Sequence, residues 1–74
     1  MKEKISEIIK ELTGYEELEE VDLIENNILD SLAFIELISE LEDEFDVEIQ
    51  PTQVPSDTWR SLENIVKLIE NLKG

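Results

Sequence analysis

The sequence predicts an all-α fold: a small bundle of three main helices and one short helix, with a long first loop. Three observations carry that prediction. Apolar residues recur with a 3.6-residue period in three separate windows. Gly14, Pro51 and Pro55 stand between those windows, where they end a helix or forbid a long one. The 74 residues make room for one small domain, 1–74, whose core supplies only ~3 to 5 kcal/mol.

The first window holds Ile5, Ile8, Ile9 and Leu12, at i, i+3, i+4 and i+7 with charged residues between them, so the opening dozen residues read as an amphipathic helix ended by Gly14. From Tyr15 to Asp30 the period breaks up, yet Leu18, Val21, Leu23, Ile24, Ile28 and Leu29 keep returning. This pattern predicts a long connection strapped across a core, not a disordered linker. The second window, Phe34, Leu37, Ile38, Leu41 and Phe45, is the clearest helix. Asp30 suits its N-cap, and Leu29 and Phe34 have the spacing of a hydrophobic staple. With Asp30 as the cap, Ser31 is the first helical residue and its hydroxyl has no local structural duty.

Beyond Phe45, Val47 and Ile49 alternate with Glu48 and read as extended chain, and the prolines leave space for one short helical turn near Ser56 to Trp59. Leu62, Ile65, Val66, Ile69 and Leu72 form the last stripe, with Ser61 as its N-cap. No internal repeat or low-complexity tract is present.

Charge is the strongest compositional fact. Twenty acids against six bases give a net charge of -14, and the stretch from Glu11 to Trp59 holds 16 acids and no base. Such a segment steers toward basic partners and away from nucleic acid and anionic membranes, and it repels itself. The opening MKEKISEIIKEL is amphipathic and charged, unlike a signal peptide or a membrane span. A soluble, cytoplasmic, monomeric protein is expected. Cysteine is absent, so neither disulfides nor thiolate metal sites can staple the fold.

The same inventory limits the chemistry. Ser31 has no histidine to activate it, and no lysine lies near it in sequence. Carboxylate pairs are abundant, but a bundle this small offers little room for a glycosidase-like cleft. An EF-hand loop begun at Asp22 fails, because its third position is Ile24, its turn position Asn27 and its twelfth Ala33. Phosphate-cradling glycine loops need more than Gly14 and Gly74. No metal site and no intrinsic catalysis are therefore expected. What remains is a serine in the first turn of a helix, whose free amides and positive dipole end favour a phosphate placed there.

The run LDSLAFIELISELEDEF, Leu29 to Phe45, followed by VEI, resembles acyl carrier proteins and the related peptidyl carrier domains, whose Asp-Ser-Leu motif begins the second helix. ENNILDSL and PTQVPSDTW are more similar to stand-alone D-alanyl carrier proteins than to fatty-acid carriers. Fatty-acid carriers usually place a glycine two residues before the Asp, where Ile28 stands. D-alanyl carriers usually place one three residues before it, where Asn27 stands; Asn is a frequent substitute for glycine at positive φ. Trp59 falls near the place of a tryptophan in D-alanyl carriers. The resemblance implies that Ser31 receives phosphopantetheine from coenzyme A through a separate phosphopantetheinyl transferase. It also implies that the cargo rides as a thioester, delivered by an adenylating enzyme and passed to acyl-accepting enzymes with basic docking surfaces. Asp30, Leu32, Ile35, Glu36, Glu42 and Asp43 match positions that face such partners.

Part of this follows from spacing alone. Leu32 and Ile35 lie off the main stripe beside the serine, where they either widen the buried face or form an apolar patch with a charged rim. Trp59 is expected to be a core or loop anchor, and Phe34, Phe45, Ile65 and Ile69 core first. The cluster Glu40, Glu42, Asp43 and Glu44 is ordinarily a solvated helix face, and only its place on the helix of Ser31 suggests a partner surface. The competing reading is an acidic protein-binding bundle, an inhibitor or nucleic-acid mimic, in which Ser31 is only a helix cap.

Overall fold

Ile5, Ile8 and Ile9 are buried on one face of α1, Lys2–Thr13, in the computed structural model of the chain, which describes every residue from Met1 to Gly74. Two longer-range partners complete the bundle: α2, Ser31–Phe45, and α3, Leu62–Lys73. Between α2 and α3 run two short 3-10 helices, Pro51–Gln53 and Ser56–Arg60. The fold is the all-α bundle that the sequence predicts, with the long loop between α1 and α2 in its expected place.

Each helix ends for a local reason. Gly14, at φ 80°, donates its N–H to the Lys10 carbonyl and closes α1 in the left-handed conformation that glycine adopts without cost. Asp30 caps α2, its carboxylate accepting from the Ala33 N–H at 2.9 Å. Asp46, at φ 54°, ends α2, and Lys73 Nζ donates to the Phe45 carbonyl at 3.2 Å. Ser61 Oγ accepts from the Asn64 N–H at 3.1 Å and starts α3.

The core joins the three helices to both connections. Leu18, Leu23, Ile28 and Leu29 of the first loop are buried with Ile49, Trp59, Leu62, Ile65 and Ile69. The strap expected between Tyr15 and Asp30 is therefore a structural wall. In α2 the deepest row is Ala33, Leu37 and Leu41, while Phe34, Ile38 and Phe45 flank it half-buried. The helix is thus rotated slightly from the stripe that sequence suggests, because the small Ala33 occupies a core position. Leu72 ends its stripe beyond the core and is 42% exposed.

The segment after α2 differs in one respect from expectation. Besides the turn expected at Ser56 to Trp59, which continues through Arg60, a second turn forms at Pro51. Proline fits there because its fixed φ suits the first helical position and its missing N–H is not needed. Val47 to Gln50 run without regular structure, and Glu42 Oε2 accepts from the Ile49 N–H at 2.9 Å, pinning the buried Ile49 under α2.

Candidate functional site

Ser31 opens α2 and is exposed, and its hydroxyl has no hydrogen bond within the chain. The capping duty that a serine could serve here belongs to Asp30, which overturns the reading of Ser31 as only a helix cap. Its position is fixed from the N-terminal side by a knot of backbone bonds. The Leu23 carbonyl accepts from both Ile28 N–H at 3.0 Å and Leu29 N–H at 2.9 Å, and Asn27 sits at φ 58° between them. Asn27 thus takes the left-handed conformation expected of a glycine substitute.

Beside Ser31 lies an open cleft of about 320 Å³ lined by Ile24, Leu29, Phe34, Trp59 and Arg60, with Asp30 and Ser56 at its polar rim. Its walls come from three elements: the first loop, the first turn of α2 and the second 3-10 helix. Two contacts tie the walls together. The Leu23 N–H donates to the Arg60 carbonyl at 2.6 Å, and Arg60 Nη1 donates to Asp22 Oδ2 at 2.6 Å. Asp22 also accepts through Oδ1 from Glu25 N–H at 2.8 Å and Ile24 N–H at 3.0 Å. These amide bonds, foremost that of Glu25, together with the Arg60 guanidinium, hold the Asp22 carboxyl below its ordinary value. The pairing with Asp22 in turn raises the guanidinium of Arg60.

The remaining residues singled out by sequence are spread along α2, from its Asp30 cap to its last turn. Leu32 is 67% and Ile35 64% exposed, so both stand in solvent instead of widening the buried stripe. Asp30, Glu36 and Asp43 are exposed around them, while Glu42 is half-buried and already committed to the Ile49 amide. Sequence reasoning misses Arg60, which lines the cleft beside Ser31, and Asp22, which holds it. The sequence does carry a signal for the first, since Arg60 is the only base between Lys10 and Lys67. No group of three or more carboxylates converges into a metal-ligand cluster, and no helix is long and apolar enough to cross a membrane.

An exposed serine with no base beside it has no nucleophilic chemistry of its own. Comparison with known proteins supplies the family. Residues 3–69 match the family described as the phosphopantetheine attachment site. The chain is 37% identical to a D-alanyl carrier protein of Lactococcus lactis subsp. lactis, with 99% of this chain and 96% of that one covered. It is 32% identical to the D-alanyl carrier protein of Leuconostoc mesenteroides, with 100% and 97% covered, and 31% identical to that of Listeria welshimeri, with 97% and 96% covered. With nearly the whole chain inside these matches, the protein belongs to the phosphopantetheine attachment site family, as a non-catalytic carrier whose covalently attached prosthetic group is phosphopantetheine.

Proposed function

We propose that Ser31 is the attachment point and that the protein carries D-alanine. The observation that carries the first part is the exposed hydroxyl at the first residue of α2, left without a structural duty by the Asp30 cap. The residues present fit the group: an accessible oxygen opens on a cleft with an apolar wall and one guanidinium. Bound there, phosphopantetheine supplies a thiol that holds the cargo as a thioester. Support for D-alanine as cargo comes from the relatives named above, which are D-alanyl carrier proteins over essentially the whole chain.

Membership of the family brings a phosphopantetheinyl transferase and loading enzymes as partners. The chain's contribution to modification is placement. The Ser31 oxygen forms a bond to phosphorus as the pyrophosphate bond of coenzyme A breaks and adenosine 3′,5′-bisphosphate leaves, and a base on the transferase takes the serine proton. The partners dock on Asp30, Leu32, Ile35, Glu36, Glu42 and Asp43: an apolar pair in an acidic rim that suits basic enzyme surfaces. The protein acts as one carrier domain, 1–74, monomeric and in the cytoplasm, where coenzyme A and ATP are at hand. Nucleic acid is not a partner of a chain with net charge -14.

Intact mass tests this reading. Incubated with coenzyme A and a broad-range transferase, the wild type gains one phosphopantetheine and Ser31→Ala gains none. With ATP, D-alanine and a D-alanine-adenylating enzyme, the modified protein then gains one alanyl residue that hydroxylamine removes. An unmodified wild type overturns the attachment site. Modification without D-alanine loading overturns the cargo.

A further inference from the structure

We propose that Arg60 is the phosphate-binding residue of this carrier, and that Ile24, Phe34 and Trp59 beside it are the apolar bed for the part of the arm nearest the phosphate. The inference deepens the assignment of Ser31 and rests on it. A phosphodiester at Ser31 adds another anion to a chain that already carries a net charge of -14, and Asp30 stands next to it. One cation is placed to offset that charge. Arg60, the only base across the long interval from Lys10 to Lys67, lines the same cleft as Ser31.

The hydrogen bonds around Arg60 leave it able to do so. A guanidinium offers five donors in a rigid planar fork. Asp22 takes Nη1 at 2.6 Å. Asp57 Oδ1 lies 3.6 Å from Nε, which is beyond hydrogen-bonding length. Nη2 has no partner within the chain. Asp22 therefore holds the guanidinium through Nη1 alone and leaves the Nη2 donors open, and Asp22 is itself held by the amides of Ile24 and Glu25. Arginine suits phosphate oxygens because its paired donors match their spacing.

The apolar residues complete the site. Ile24 remains 37% exposed although Leu23, Ile28 and Leu29 beside it in the loop are buried, and it lines the cleft together with Phe34 and Trp59. Pantetheine carries two methyl groups close to its phosphate, so an apolar bed next to an arginine is the surface that this end of the arm would cover.

The test uses the isotope-labelled full chain before and after conversion to the phosphopantetheinyl form, with conversion verified by mass. Expected are a shift of the Arg60 Nε–H and Trp59 indole N–H resonances on conversion, and Overhauser contacts from the arm's geminal methyl protons to Ile24 and Trp59. In Arg60→Gln the phosphorus resonance moves toward that of free phosphopantetheine, and Arg60→Lys restores part of the difference. The wild-type readout stands even if a variant loses its fold. If the wild type is fully converted by mass while the Arg60 resonance stays in place and no methyl contacts appear, Arg60 does not bind the phosphate. A wild type that gains no mass overturns the Ser31 assignment itself, and this inference with it.

Discussion

The rings of Phe34 and Trp59 meet edge to face, with centroids 5.1 Å apart and planes at 86°. This contact bolts the first turn of α2 to the second 3-10 helix, and it forms the floor of the cleft beside Ser31. Its geometry is the one favoured by the aromatic quadrupole. The ring pair thus sets the position of the serine as well as stabilising the fold.

Removing Trp59 is accordingly expected to be costly. Trp59 is only 4% exposed, and truncating such a residue to alanine costs about 3 to 5 kcal/mol, as much as a core of this size supplies. Trp59→Ala should be largely unfolded at 25 °C by far-UV circular dichroism. Phe34→Leu, which keeps the apolar volume and loses the ring contact, should cost nearer ~0.5 to 1.5 kcal/mol in urea melts. A Trp59→Ala protein that melts like the wild type would show that this residue anchors nothing.

Asp30 has a structural role and a proposed recognition role, and two substitutions separate them. Asp30→Ala removes the cap on the Ala33 amide and should destabilise by about 1 kcal/mol. Asp30→Asn keeps a capping oxygen and should leave the urea midpoint nearly unchanged. If the carboxylate guides the transferase, Asp30→Asn is modified more slowly despite its intact stability. Equal modification rates for Asp30→Asn and wild type would confine Asp30 to capping.

Those elements that sequence made legible are the ones governed by local chemistry. The Asp30 cap, the Ser61 cap, the Gly14 terminus and the left-handed Asn27 each depend on residues within a few positions, so side-chain type alone announces them. Leu32 and Ile35 were placed off the main stripe by spacing, but whether they were buried or exposed depended on what packs against α2. The Asp22 to Arg60 pair joins residues 38 positions apart, and nothing in either neighbourhood encodes the other. The same applies to Trp59 on Phe34. The cleft is built from such distant pairings, which is why the serine could be read from sequence while its surroundings could not.

Glu42 and Asp43 are neighbours with different expected costs. Glu42→Ala strips the partner from the Ile49 N–H, and loss of a hydrogen bond to a charged group costs about 1.5 to 3 kcal/mol. Asp43 is exposed and its carboxylate makes no hydrogen bond or ion pair within the chain, so Asp43→Ala should stay within about 0.5 kcal/mol of wild type. Urea melts of the two proteins decide this. Equal stabilities would mean that the Glu42 bond is replaced by water without loss.

Self-repulsion should make the fold respond to salt. On the exposed face of α2, Glu36, Glu40, Asp43 and Glu44 form a single ion pair, that of Glu44 with Lys4 at 3.5 Å. Raising ionic strength shortens the Debye length to about 3 Å at 1 M, which weakens repulsion among 20 acids more than it weakens the attraction of six bases. The melting temperature is expected to rise from low to high sodium chloride. A melting temperature that holds steady or falls would mean that the ion pairs outweigh the repulsion.

The pH dependence of the Asp22 latch follows from the direction of its shift. The bonds from Glu25 and Ile24 and the pairing with Arg60 lower the Asp22 carboxyl in the folded state relative to the unfolded chain. A group with a depressed folded value contributes stability above its unfolded value of about 3.9, and that contribution fades as pH falls through the folded value. Asp22→Asn retains an oxygen for the two amides but cannot ionise, so it lacks the contribution at every pH. The gap in urea midpoint between wild type and Asp22→Asn should therefore be open at pH 7 and narrow as pH falls below the unfolded value, whatever the other carboxylates do to both proteins alike. The same substitution releases Arg60 from its partner without altering the cleft's apolar wall. A gap of constant size from pH 7 to pH 2 would mean that the cost of the substitution is steric, and that the ion pair does not clamp the first loop to the second 3-10 helix.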